Sequence, residues 1–112
     1  MPKNLQFTLL FDIYGTLLTE KQQETLELYY NDDLSLGEIS EGSGITRQGV
    51  MSCIKNGERR LAELEEQLGL AKRFSELGAL IGQLERRLSG AALPENDRAE
   101  IFRLIGEIKK KL

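Results

Sequence analysis

Histidine and tryptophan are both absent from this chain, and cysteine occurs once. Without histidine, the commonest general base and the commonest metal ligand are missing. The single Cys53 excludes an intramolecular disulfide and points to a reducing compartment. No apolar run reaches the ~18 residues of a membrane span. The first residues, MPKNLQFTLLFDIYG, have one lysine, an internal Asp12 and no small-residue cleavage site, so they do not read as a signal peptide. A cytoplasmic protein without membrane association is expected. Enzyme signatures are missing too: no glycine-rich phosphate loop after a strand, no nucleophile with a histidine partner, no H-E-x-x-H and no C-x-x-C. The expectation is a non-enzyme with no cofactor and no metal site. An excess of positive charge is also lacking. The net charge is −3 and the pI about 5.1, whereas dedicated nucleic-acid binders are usually basic.

What charge there is lies unevenly. Residues 1–34 carry Lys3 and Lys21 against six acids, while residues 71–112 carry nine bases against six. The 112 residues fit one domain, or one small domain with a helical appendage. Local signals divide them further. Leu5–Leu18 holds two apolar stripes at helical spacing, Leu5, Leu9 and Ile13 on one, and Phe7, Leu10, Phe11, Tyr14, Leu17 and Leu18 on the other. This predicts a helix buried on more than one face. Thr19 with Gln22 forms a capping box that opens a second helix through about Tyr30, ended by the turn-forming Asn31-Asp32-Asp33. Ser35 with Glu38 is another capping box, and Gly42-Ser43-Gly44 stops the short helix it begins. Thr46 is the N-cap of a fourth helix that runs to Leu68, with Gly69 just past its end. On that helix Val50, Cys53, Ile54, Gly57, Leu61, Leu64 and Leu68 share the inward face. A fifth helix, Lys72–Leu88, repeats Phe74, Leu77, Ile81, Leu84 and Leu88 at steps of three and four, a coiled-coil-like seam. After the loop SGAALPEN, Asn96 or Asp97 caps a last helix that turns Ile101, Leu104, Ile105, Ile108 and Leu112 inward. The class is all-α: a helical bundle over residues 1–70 and a C-terminal helical arm over 71–112.

The stretch SLGEISEGSGITRQGVMSCIKNGERRL, residues 35–61, has the logic of a helix-turn-helix. Leu36 and Ile39 are the buried positions of a short first helix, and Ser40 is small where the second helix crosses. Gly44 supplies a left-handed turn, Ile45 plugs the corner, and Val50 and Ile54 hold the second helix down. Its outward first residues would meet base edges in a major groove. The pattern resembles region four of bacterial sigma factors. Ser43 departs from it where leucine is usual, as do Gly49 and Gly57. Glycine inside a helix costs about 0.5–1 kcal/mol relative to alanine, so a loose recognition helix is expected. A closer resemblance covers residues 5–70. The run LLFDIYGTLLTEKQQETLELYYNDDLSLGEIS, followed by TRQGV and LEEQLGL, is similar to the YlxM family of small bacterial proteins, typically encoded beside the signal recognition particle GTPase. That resemblance implies a region-four-like DNA-binding fold and an accessory or regulatory role in the signal recognition particle pathway.

The candidate DNA-binding residues are Thr46, Arg47, Gln48, Met51, Ser52, Lys55 and Arg59. Arginine pairs with guanine and glutamine with adenine through two hydrogen bonds each, which singles out Arg47 and Gln48 as base readers, unless they are solvated first-turn residues. Ser52, Lys55 and Arg59 suit phosphates, although Arg59 could instead pair with Glu63. Cys53 reads as a small core residue, Tyr29 and Tyr30 as core, and Asp32-Asp33 as a solvated turn. Phe74, Leu77, Ile81, Leu84 and Leu88 form the candidate dimerisation stripe of a homodimer, unless the last two helices fold back. DNA is the expected partner. The alternative is a protein-interaction factor that binds the signal recognition particle GTPase or its RNA and leaves DNA alone.

Overall fold

The structure is a computed structural model that describes residues 5–112; Lys3, counted above among the N-terminal bases, lies outside them. Six α-helices follow one another: α1 (Leu5–Tyr14), α2 (Glu20–Leu26), α3 (Leu36–Ser43), α4 (Arg47–Leu68), α5 (Leu70–Ser89) and α6 (Glu95–Lys110). No strand occurs among the described residues, and the fold is all-α. The chain forms two compact units, one ending at Ala71 and the other running from Lys72 to Leu112.

In the first unit the capping signals act where the sequence places them. Thr19 accepts from Gln22 N while the Gln22 side chain accepts from Thr19 N, and Ser35 and Glu38 reciprocate in the same way. Each box satisfies two N–H groups that a helix start would otherwise leave without a partner. Gly44 and Gly69 take left-handed backbone, φ 76° and 64°, which glycine adopts without steric cost. Asp33, at φ 54°, closes the acidic turn, a conformation that aspartate tolerates better than most residues.

Two expected helices end differently. The first stops at Tyr14 and continues as a 3₁₀ turn over Gly15–Leu17. Gly15 is buried against Phe11, whose ring would lie 3.0 Å from a Cβ there. Leu18 must then extend (φ −81°, ψ 164°) to set up the Thr19 cap. α2 runs on through a π-helical turn, Glu27–Asn31, in which Asp32 N donates to the Glu27 carbonyl. The wider turn carries Tyr29 into the core and sets Tyr30 beside it, with ring centroids 5.1 Å apart.

The core joins Leu10, Phe11, Tyr14 and Leu18 to Leu26 and Tyr29, Ile39, and then Val50, Ile54, Leu61 and Leu64 of α4. Of the two stripes on α1, only the second is buried, and not throughout. Leu5 and Leu9 are exposed, as is Leu17 in the following turn. Leu68, expected inward, is also exposed. Cys53 sits half-buried at the core rim, 3.5 Å from the Thr25 hydroxyl.

Gly57, read from sequence only as a helix-loosening residue, has a packing role. It is buried, and a Cβ built on it would stand 2.9 Å from Leu26 Cδ1 and 3.9 Å from Gln22 Cβ. The missing side chain is what lets α4 cross α2 this closely. A second long-range device closes the unit. The Tyr14 hydroxyl donates to Glu65 Oε1 at 2.7 Å and accepts from Leu70 N at 3.0 Å. Glu65 Oε1 also accepts from Ala71 N at 2.9 Å. The first N–H groups of α5 are therefore capped by side chains from α1 and α4.

The second unit, taken by itself, is an antiparallel pair. Lys109 of α6 bridges to Glu85 of α5 at 2.8 Å, and Arg98 donates to the carbonyls of Leu88 (3.5 Å) and Ala91 (2.6 Å). That guanidinium covers carbonyls at the C-terminal end of α5, which a helix end leaves open. The N-cap position of α6 is Pro94, without a side-chain cap, rather than Asn96 or Asp97. Both of those lie inside the first turn, where Glu95 and Asp97 face the positive end of the helix dipole. Ile105 is buried and Ile101 half-buried as expected, but Leu104, Ile108 and Leu112 are exposed. Two helices leave each other only one line of contact, too narrow to cover so wide an apolar face.

Candidate nucleic-acid interface

α3, the turn at Gly44 and α4 form the helix-turn-helix. The Ser40 hydroxyl donates to the Ile45 carbonyl across the turn, so the small residue expected at the crossing also ties the corner. Ile45 and Leu36 are half-buried against the core, and Ile39 and Val50 are buried between the two helices. Ser43 is exposed at the end of α3. A serine in place of the leucine usual in region four therefore meets water at no cost.

Thr46 caps α4, its hydroxyl accepting from Gly49 N at 3.0 Å. A Cβ on Gly49 would stand 3.2 Å from that hydroxyl oxygen, so glycine here leaves room for the cap. From this start, Arg47, Gln48, Ser52, Lys55 and Arg59 are all exposed, and Met51 is half-buried beside them. At 100° per residue these six fall within one face of α4, to one side of buried Val50, Ile54 and Leu61. Arg47 lies back over the start of α3, its Nε 3.8 Å from where a Cβ on Gly37 would be. The ion pair to Glu63 comes from Arg60, at 3.5 Å, rather than from Arg59.

One acid enters this face, and sequence reasoning missed what holds it. Glu58 accepts from the Tyr30 hydroxyl. Burial, followed by this hydrogen bond, pushes the Tyr30 phenol well above its ordinary range. The bond turns the Glu58 carboxylate toward the π-helical turn. Its only sequence signal is an aromatic doublet facing a helix 28 residues on, which does not specify a partner. Among residues 1–71, six bases face twelve acids, yet four of the six, Arg47, Lys55, Arg59 and Arg60, lie on α4. Positive charge is thus concentrated on one helix of an acidic unit.

The family model described as "Putative helix-turn-helix protein, YlxM / p13 like" matches residues 1–101. The chain belongs to this family, UPF0122. The match reaches into α6, well past the residue-70 limit of the resemblance read from sequence. A UPF0122 protein of Thermoanaerobacter sp. (strain X514) is 44% identical over 108 residues, 96% of this chain and 92% of the relative. One from Halalkalibacterium halodurans is 42% identical over 95 residues, 85% of this chain and 87% of the relative. Another, from Bacillus cereus (strain AH187), is 44% identical over 89 residues, 80% and 81% of the two chains. UPF0122 is described as a helix-turn-helix family, a kind of fold without catalytic machinery. No helix among the described residues is long and apolar enough to cross a membrane.

Proposed function

We propose that this chain is a cytoplasmic helix-turn-helix protein that binds duplex DNA through α4, as a regulatory or accessory component of the signal recognition particle pathway. The pathway assignment rests on the YlxM resemblance. The DNA reading is carried by one observation, the exposed basic and amide face at the start of α4 in an otherwise acidic unit. Gln48 and Arg47 are the base readers, and Lys55, Ser52 and Arg59 are the phosphate contacts. In an anisotropy titration, Arg47→Ala and Gln48→Ala are each expected to relax sequence preference by about 1–3 kcal/mol per contact. Lys55→Ala should weaken all sequences alike and flatten the salt dependence by about one unit of slope. Wild-type protein that ignores a random duplex pool at ~50 mM salt, where phosphate attraction is strong, would rule DNA out.

A second reading is favoured by a different surface. An open groove of about 620 Å³ lies between α2, the end of α3 and the turn. Leu28, Ile39 and Ile45 supply its apolar lining, and Glu20 and Glu24 stand beside them with Lys21 as the one base. Such a surface repels nucleic acid and steers a basic protein partner. In this reading the partner of the groove is the GTPase of the signal recognition particle, and DNA is not bound. Glu24→Lys with Glu27→Lys should then abolish a salt-weakened association with the GTPase, while Arg47→Ala leaves it intact. The reverse pattern would make α4 the protein-binding element and remove both the acidic-surface model and the DNA reading.

A further inference from the structure

Oppositely charged residues three positions apart pair repeatedly on the helices of this chain. Arg60 bridges to Glu63 at 3.5 Å, Arg103 to Glu100 at 2.6 Å and Lys110 to Glu107 at 3.5 Å. Residues at this spacing lie on one helix face and attract when nothing else engages them. Lys55 and Glu58 share the spacing, and they share the order of Arg60 and Glu63 on the same helix. They do not pair. Lys55 is exposed and makes no ion pair among the described residues.

Glu58 is engaged elsewhere. It is half-buried, and its carboxylate accepts from the Tyr30 hydroxyl of the π-helical turn. The ring that carries this hydroxyl has an aromatic neighbour on each of two elements. Tyr29 meets it edge-on at 5.1 Å between centroids, and Phe11 of α1 lies 6.4 Å away. Of the four residues one turn from Glu58, Ile54 and Leu61 are buried, Ala62 is uncharged, and only Lys55 carries a charge. Arg59 follows Glu58 directly, but successive residues on a helix do not face each other. A Glu58 carboxylate released by Tyr30 therefore has one cation within helical reach, Lys55.

We propose that Tyr30 is a positioning residue for nucleic-acid binding: it holds Glu58 against the π-helical turn and so leaves Lys55 open to a phosphate. The inference rests on the DNA reading of α4 and adds to it a residue outside the helix-turn-helix. A lysine already paired with a carboxylate must give up that pair before it can neutralise a phosphate. Its contribution to affinity then shrinks, and so does its share of the counterions released on binding. The Tyr30 hydroxyl itself touches no DNA and acts through Glu58 alone.

Anisotropy titrations of the full chain against a random duplex pool, repeated across salt concentrations, test it. Tyr30→Phe keeps the ring and its packing, so helical content by circular dichroism should match the wild type. Binding is expected to weaken about three- to fivefold, the strength of an exposed ion pair. The salt slope should fall by up to about one unit, the share of a single phosphate contact. In a Glu58→Gln background there is no carboxylate to release, and Tyr30→Phe should change neither quantity. The same silence is expected in a Lys55→Ala background. A Tyr30→Phe loss that persists in either background assigns the effect to packing and overturns the proposal. A wild type that ignores the pool removes the DNA reading and this inference with it. A wild type that binds, with Tyr30→Phe indistinguishable from it, overturns this inference alone.

Discussion

Gly57→Leu is expected to destabilise the first unit by about 3 kcal/mol, at the upper end of what overpacking a core costs. On helix propensity alone the substitution should stabilise, since leucine is the better helix former by about 0.5–1 kcal/mol. Geometry decides against propensity. The new Cβ would start 2.9 Å from Leu26 Cδ1 and 3.5 Å from its Cγ, and Leu26 is fully buried. Either the Leu26 side chain must repack within the core or α4 must lift away from α2. Gly57→Ala meets the same contact with less bulk and should lose about 1 kcal/mol. Urea unfolding measures both, and a cycle with Leu26→Ala isolates the cause. The leucine variant should be much less damaging in that background, a coupling typical of residues in contact. If Gly57→Leu proves neutral or stabilising, the crossing is not as close as described.

Tyr14→Phe should cost about 2 kcal/mol, because it removes two hydrogen bonds and leaves part-buried groups short of a partner. The ring stays and fills the same volume, so the loss belongs to the hydroxyl. Its removal takes the donor to Glu65 and the acceptor of Leu70 N. Glu65→Gln should be milder, since an amide oxygen can still accept from Tyr14 and from Ala71 N. The same residue makes stability depend on alkaline pH. Burial first, and then the hydrogen bond to Glu65, hold the Tyr14 pKa above its ordinary value of 10.0. The unfolded chain therefore gives up this proton at lower pH than the folded one. Stability from this group is fully present below about pH 10 and falls as pH rises beyond it. Tyr30, raised by burial and Glu58, adds in the same direction. Unfolding free energies across pH 8 to 11 should fall more steeply for the wild type than for Tyr14→Phe. Parallel curves would show that the phenol does not couple folding to the proton.

Both predictions concern residues whose roles depend on distant parts of the chain. Much of the rest is local. The boxes Thr19/Gln22 and Ser35/Glu38, the Thr46 cap and the turns at Gly44 and Gly69 are settled within a few residues. A cap is satisfied by N–H groups two or three positions away, and a left-handed turn needs only the absence of a Cβ. The sequence by itself therefore determined the helix-turn-helix, the buried face of α4 at Val50, Ile54 and Leu61, and the exposed face carrying Arg47, Gln48 and Lys55.

Tertiary structure alone decided the meaning of Gly57. Along the chain it is a propensity cost, and only the approach of Leu26 turns it into a requirement. The Tyr14–Glu65–Leu70 cluster joins residues more than fifty positions apart, and nothing in their spacing marks it. The α6 N-cap lies at Pro94, and Arg98 reaches the Leu88 and Ala91 carbonyls at the end of α5, a contact that no local spacing marks. The exposure of Leu5, Leu9, Leu104 and Ile108 has the same origin. Periodicity reports which side of a helix is apolar, but burial depends on whether another element arrives to cover it.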